Sequence, residues 1–506
     1  DMSGDVFGNA MLLSEQIRLL AAFDHRDIFI DPDPDPARSF AERKRLFETP
    51  RTSWKDYDRS LISAGGGVFP RSAKSIELTG EIRKLTGLTA DRATPFELIR
   101  ALLGAECDLL WFGGIGTYIK GSSETNADAG DRANDAIRVN GRDLRARVVG
   151  EGANLGLTQE GRIEAARKGV KLNTDAVDNS AGVDCSDHEV NIKIALGQVV
   201  AAGDMTEEQR NRQPAEMTDE VGELVLADNY DQTLAISMVE ARAPQLLEDH
   251  ARLMRVLERT GGLNREVEVL PPDDEIAELD AAGKGLTRPE IAVLVAYAKI
   301  VAFGALVESA VPDDPYCERF LVEYMPTPLR RKHREAILAH RLRREIVATV
   351  LSNLVVNEGG PAFLNRLEEE TGAGTPAIVR AVVTAREIFA TERLRDEINA
   401  LDNKVAADAQ IRMHLAITDM LASQGLCLLA RASGGRDIGE VVGRYREGVA
   451  EVREGVADML SDFSARRLAE RADAFVRAGA PEDLASRVSL LEFLGGALDI
   501  VEIGRA

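Results

Sequence analysis

Five places in this chain put small and polar residues at the ends of apolar runs: Ser3-Gly4-Asp5, Asp24, Gly113-Gly114, residues 151–154 and residues 178–182. Their chemistry is that of binding. Ser3-Gly4-Asp5 sets small residues where the backbone must turn tightly, with an acid early in a predicted helix that runs to about Arg18. Backbone N–H groups at such a turn receive an anion such as phosphate. Asp24 closes the next apolar run, 20 residues after Gly4. At that separation a dinucleotide-binding βαβ unit places a carboxylate on the adenosine ribose. A leading G-x-G pair and its strand would have to precede Asp1, so the chain is expected to be the C-terminal part of a longer one.

The elements that must position these residues alternate. Cys107–Phe112 is a short apolar run that breaks at Gly113-Gly114-Ile115-Gly116, and residues 147–150 form another that ends in Glu151-Gly152-Ala153-Asn154. A helix opening near Thr158 follows, with Ile163 and Ala166 on its apolar face, and residues 169–174 read as the next strand, ending before Asn179. Strands separated by one helix each predict a parallel sheet, and such sheets bind ligands outside the carboxyl ends of their strands. Before them, Thr94-Pro95-Phe96-Glu97 has the form of a capping box opening a helix through Leu103. Residues 25–75 read as irregular, with the proline-interrupted stretch Asp31-Pro32-Asp33-Pro34-Asp35-Pro36 taken as an extended acidic loop. The run Gly65-Gly66-Gly67, near Arg71 and Lys74, offers a second anion cradle but lacks the G-K-[ST] ending of a P-loop.

Beyond about residue 200 the pattern is helical. Thr287-Arg288-Pro289-Glu290 is a second capping box, and Thr375-Pro376 opens a helix with Ile378, Val382, Ala385 and Phe389 at helical spacing. Two near-duplicate heptads set Val449, Val452, Val456, Met459 and Phe463 on one seam, read as a bundle helix because two heptads are too few for a coiled coil. The expected fold class is α/β: a Rossmann-like parallel sheet lacking its first strand, followed by a large all-α region. The expected domains are 1–200, with an insertion near 31–95, and a helical region at 201–506.

The formal net charge of -22 excludes nonspecific nucleic-acid binding, which needs clustered cations. Aromatic residues are only 5%, which favours helices over β sandwiches. Cys107, Cys185, Cys317 and Cys427 have no C-x-x-C spacing and read as reduced thiols of a cytoplasmic protein. Residues 291–306 are the most apolar window, but they are too short for a membrane span and enclose Lys299, so a buried helix is expected. Asp184, Cys185, Asp187, His188 and Glu189 invite a metal reading, yet match no H-x-x-x-H or C-x-x-C pattern, and no metal is expected.

Taken in order, DMSGDVFGNAML at 1–12, CDLLWFGGIGTYIK at 107–120, VVGEGANLGLT at 148–158 and NTDAVDNSAGVDCSDHEVNIK at 173–193 resemble the large NAD-dependent bacterial glutamate dehydrogenases. The resemblance implies NAD-dependent oxidative deamination of L-glutamate to 2-oxoglutarate and ammonium. It implies that Ser3, Gly4 and Asp5 hold the cofactor pyrophosphate, that Asp24 takes the adenosine ribose and favours NAD over NADP, and that Gly113 and Gly114 allow close approach to the nicotinamide-side ribose. Asn154 and Asn179 would contact the nicotinamide end, and Ser186 would bind the substrate's side-chain carboxylate. The family's general acid/base lysine and catalytic aspartate precede the dinucleotide turn, so no catalytic residue is expected after Asp1; Lys74 and Lys120 do not substitute by position. The helical region is expected to serve assembly or regulation in a homo-oligomer.

Competing readings stand beside these. Asn after a strand is ordinary turn chemistry, Asp24 would also suit a solvated strand end, and Ser186 would also suit a helix cap. The function itself competes with a noncatalytic NAD-binding or assembly module and with a dehydrogenase for another amino acid.

Overall fold

The computed structural model describes Phe7 and residues 9–260, 262–431 and 436–505. The Ser3-Gly4-Asp5 turn lies outside the described residues. The chain forms two compact units, one of residues 1–180 with 287–290, the other of residues 181–286 with 291–506.

In the first unit the run that ends at Asp24 enters a hairpin, within the stretch expected to be irregular. Strand β1 (Ala21–Phe23) pairs antiparallel with β2 (Asp27–Ile30), in the register Ala21↔Ile30 and Phe23↔Ile28, and β2 pairs antiparallel with β3 (Gly67–Pro70). The chemistry of length decides this. Only Asp24, His25 and Arg26 join β1 to β2, and a parallel connection needs a dozen residues or more. The strand that ends at Asp24 therefore belongs to an antiparallel sheet. Nor does a helix run to Arg18: Asn9–Leu12 is a single 3-10 turn. The carbonyl of Met11, which a continuing helix would use internally, instead accepts from the buried Arg43 guanidinium at 3.2 Å and 3.3 Å.

Every residue of β2 is buried because both of its faces are covered. Ile28 and Ile30 point into a core with Ile82, Leu98 and Ile99, while Phe29 points the other way into an aromatic cluster of Phe7, Trp54 and Tyr57. Phe29 stacks on Trp54 at 4.6 Å between centroids, and Phe7 meets the same indole edge-on at 4.8 Å. The proline-interrupted stretch ends in order rather than in an extended loop. Asp35 Oδ1 accepts from Arg38 N at 2.8 Å and Pro36 sits in the first turn of a helix, Pro36–Glu48, using the proline's preset φ where its missing N–H costs nothing. The glycine run serves close packing: a Cβ on Gly66 would lie 2.5 Å from the Ile30 carbonyl oxygen.

The capping box at Thr94 forms as the sequence predicts. Thr94 Oγ1 accepts from Glu97 N, Glu97 Oε2 accepts from Thr94 N at 2.7 Å, and the helix is Pro95–Leu103. The strands β4 (Ile76–Glu77) and β5 (Arg92–Ala93) pair antiparallel just before it. Parallel pairing follows. Strand β6 (Cys107–Phe112) lies beside β9 (Ala146–Glu151), with Trp111↔Gly150 and Phe112↔Glu151 in register. The short strands β7 (Ile119–Lys120) and β8 (Val139–Asn140) form a second parallel pair. Residues 169–174 make one parallel bridge to β9 instead of a full strand: Val149 N donates to Lys171 O, and Lys171 N to Arg147 O, each at 2.9 Å. Beyond it the Asn173 side chain donates to Asp178 and accepts from Arg288. The first unit is thus mixed α/β, and each of its two parallel sheets has two strands among the described residues.

The second unit is helical throughout its described residues. The helix Arg288–Val307 begins with residues of the first unit, where Glu290 Oε2 accepts from Thr287 N at 2.6 Å. Ile378, Val382, Ala385 and Phe389 are all buried on Thr375–Phe389. The heptad seam is only half made: Val449, Val452 and Val456 are buried, but the helix ends at Gly455, and Met459 and Phe463 are exposed. Two helices, Arg288–Val307 and Ala407–Ala430, are long and apolar enough to cross a membrane, yet Ile291, Leu294, Met413 and Ile417 on them are fully buried within the protein.

The aromatic cluster gives the first unit much of its rigidity on one face of β2. Trp54→Ala is expected to destabilise that unit by about 3–5 kcal/mol in urea denaturation followed by near-UV circular dichroism. A loss under about 1 kcal/mol, the size of an ordinary surface change, would show that the cluster does not anchor it.

Candidate functional site

The residues singled out at the strand ends meet at the carboxyl end of β6 and β9. Ala153 N donates to Phe112 O at 3.0 Å, which binds the loop after β9 to the end of β6, where Gly113 and Gly114 follow. Gly113 is exposed and Gly114 buried. Asn179 Nδ2 donates to Asn154 Oδ1 at 2.7 Å, across 25 positions of sequence. This one bond leaves Asn154 Nδ2 as a donor and Asn179 Oδ1 as an acceptor, side by side and exposed. Exchanging the amide assignments of both residues leaves the same complement. Such a pair matches a ligand carboxamide, which needs one acceptor and one donor of its own satisfied.

The glycines around this loop make room for a side chain. Trp111 lies against the backbone of β9: a Cβ on Gly150 would stand 2.6 Å from the indole, and one on Gly152 2.3 Å from it. A side chain at 152 would therefore displace the indole of Trp111 from this position.

A buried polar network holds the loop in place. Glu151, at the last position of β9, is 1% exposed and takes a bidentate contact from Arg162 of the helix Gln159–Arg167, at 2.7 Å and 2.9 Å. Its Oε1 also accepts from Leu157 N at 3.1 Å. Arg162 reaches Asp175 at 3.0 Å, and Asp175 in turn accepts from Leu155 N at 2.8 Å. Asp178 accepts from Glu151 N and from Asn173 Nδ2, each at 3.0 Å. These bonds fix both ends of residues 151–155 and the turn Asp175–Asp178 that delivers Asn179. Burial pushes the Glu151 carboxyl up, and the Arg162 guanidinium opposes it. Burial also pushes Asp178 up, opposed by its hydrogen bonds from Asn173 and Glu151. The roles of Arg162 and Asp175 were missed from the sequence. The available signal was an arginine beside Ile163 on the apolar face of a short helix.

Asp24 and Ser186 belong to other elements. Asp24 heads the β1–β2 turn and is 2% exposed; its Oδ1 accepts from Arg26 N at 2.7 Å and Asp27 N at 2.8 Å. One oxygen of the Asp24 carboxylate thus closes this turn. Ser186 belongs to the second unit, exposed on the helix Ser180–Ala201, where its hydroxyl donates to Val183 O at 2.6 Å.

The Glu151–Arg162 pair can be tested by its asymmetry. Arg162→Met leaves a buried carboxylate without its partner and is expected to cost about 3–5 kcal/mol in urea denaturation. Adding Glu151→Leu to it should recover part of that loss. A double variant no more stable than Arg162→Met would show that side-chain bulk, and not uncompensated charge, sets the cost.

Comparison with known proteins places this geometry. Residues 1–239 match the family described as bacterial NAD-glutamate dehydrogenase, catalytic domain, and residues 283–506 match that described as glutamate dehydrogenase, C-terminal. Proteins named NAD-specific glutamate dehydrogenase are similar along essentially the whole chain. That of Halomonas elongata is 49% identical over 505 residues, which is 100% of this chain and 31% of the relative. That of Pseudomonas aeruginosa is 47% identical over 502 residues, 99% of this chain and 31% of the relative. That of Mycobacterium tuberculosis is 44% identical over 507 residues, again 99% of this chain and 31% of the relative. The chain thus spans about a third of the length of these relatives, and across that span it belongs to the bacterial NAD-glutamate dehydrogenase family.

Proposed function

We propose that the first unit binds NAD at the carboxyl end of β6 and β9, as part of an enzyme that oxidatively deaminates L-glutamate to 2-oxoglutarate and ammonium. The observation that carries this is the Asn154–Asn179 carboxamide pair, whose unused donor and acceptor are the complement of the nicotinamide carboxamide. The parallel pairing of β6 with β9 supports it, since ligands of parallel sheets sit outside the carboxyl ends of the strands. So does the further parallel bridge at Lys171, which extends the β6–β9 pair toward a Rossmann-like arrangement.

When bound, NAD supplies the hydride acceptor. The chain's own residues bind and orient. Asn154 and Asn179 set the rotation of the nicotinamide ring, and Gly113 and Gly114 let the backbone come close to the adjoining ribose. Ser3, Gly4 and Asp5 supply backbone donors to the pyrophosphate in this reading, Asp24 serves the adenosine ribose, and Ser186 receives the side-chain carboxylate of glutamate. The domain reading is a nucleotide-binding region over 1–200, with an insertion near 31–95, and a helical region over 201–506 that supports assembly of a cytoplasmic homo-oligomer.

Calorimetric titration of the chain with NAD tests the site. Asn179→Ala is expected to weaken binding about 3- to 10-fold, the worth of a lost hydrogen bond of roughly 0.5–1.5 kcal/mol. Asn154→Ala should do the same, and the double variant should lose less than the product because the two side chains act as one pair. Wild-type affinity in both single variants would remove the assignment. Glutamate-dependent NADH formation by the 506-residue chain alone is expected to be absent. Appreciable turnover would place the acid/base group within these residues.

A further inference from the structure

Asp184 and His188 stand four positions apart on the helix Ser180–Ala201, and therefore on one face of it. Asp228, from the helix Thr218–Ala241, joins them. One oxygen of each carboxylate and a ring nitrogen of His188 all lie within 4.8 Å of one another, with His188 Nε2 at 3.9 Å from Asp184 Oδ1. That separation is too long for a hydrogen bond. First-row cations hold nitrogen and oxygen ligands at about 2.0–2.2 Å, which sets ligands roughly 3–3.5 Å apart when adjacent and up to about 4.4 Å apart when opposite, and the observed separation falls between these limits.

A second observation points the same way. His188 is 1% exposed, and neither of its ring nitrogens has a hydrogen-bond partner. A buried polar group left without a partner calls for an ion or a water. The ring is also held in plane. It stacks on Tyr324 at 4.3 Å and 15°, and the Tyr324 hydroxyl accepts from Asn191 Nδ2 at 3.1 Å. His250 is buried and unpartnered too, but among the described residues Asp184, His188 and Asp228 are the one place where three such ligands converge. Asp228 is exposed and gives an ion its way in.

We propose that Asp184, His188 and Asp228 form a site for one divalent first-row transition cation, which ties the helix Ser180–Ala201 to the helix Thr218–Ala241. One imidazole and two carboxylates suit Zn²⁺, Co²⁺ or Mn²⁺ rather than the all-oxygen preference of Mg²⁺ and Ca²⁺. Three protein ligands leave the remaining positions to water. The spacing rules that argue against a metal in the sequence see only Asp184 and His188, because the third ligand comes from a different helix 40 residues on.

The chain, stripped with EDTA and dialysed, is titrated with Zn²⁺ by calorimetry and with Co²⁺ by visible absorption. The expected result is one saturable ion per chain and a thermal transition that rises with free Zn²⁺, as binding to the native state alone requires. Asp228→Asn, at an exposed position, is expected to keep the metal-free thermal transition. It should weaken Zn²⁺ by more than the about tenfold that loss of an outer-shell partner costs. His188→Gln should abolish the Co²⁺ bands, whereas Asp187→Asn, an exposed carboxylate on the same helix outside the cluster, should keep them and keep one ion per chain. Absence of saturable binding in the wild-type chain, or equal affinity in Asp228→Asn, overturns the proposal.

Discussion

The arrangement at the end of β9 depends on one buried ion pair. Two charges taken out of water are costly unless each finds full compensation. Glu151 and Arg162 find it in a bidentate contact, with Leu157 N–H on one side and Asp175 on the other. The pair joins the last residue of a strand to a helix that begins eight residues later. What it defines is the path of the chain between them. Asn154 lies on that path, and the Asp175–Asp178 turn that places Asn179 is tied to the same pair. The candidate site is thus a surface consequence of a buried electrostatic constraint.

Packing around it is equally directed. Trp111 lies over Gly150 and Gly152 of β9 and the loop after it, so the absence of side chains there seats an indole before any ligand is considered. On the other side of the unit, β2 is covered on both faces and carries Phe29 into the aromatic cluster. The two sheets reach burial by different routes: the antiparallel one through a central strand with two cores, the parallel one through a helix and a polar network.

The helical unit repeats the theme with more charges. Glu358, buried, faces Arg386 at 3.1 Å and Arg395 at 3.4 Å, and Glu387 receives Arg319 and Arg446, each at 2.8 Å. These charges have partners of opposite sign at close range, as buried ions must. His188 differs: it is buried beside carboxylates and has no hydrogen bond to any of them. Two unpartnered ring nitrogens set against Asp184 and Asp228 distinguish this cluster from the Arg–Glu cross-links between helices.

Local signals were legible in the sequence because they act over a few residues. The capping boxes at Thr94 and Thr287, the helix from Thr375 with its buried face, and the strands Cys107–Phe112 and Ala146–Glu151 follow from residue type and period alone. The ordered loop motifs carried the family. Partnership between distant segments was not legible. Nothing in the run up to Asp24 announces that three residues later the chain doubles back, turning a presumed parallel strand into a hairpin and its acid into a turn acceptor. The helix Pro36–Glu48 was hidden by prolines whose last member starts it. The bond between Asn154 and Asn179, the meeting of Arg162 with Glu151, and the arrival of Asp228 beside His188 are decided by tertiary structure. Each joins residues on different elements, and sequence spacing carries no information about which faces of two elements will meet.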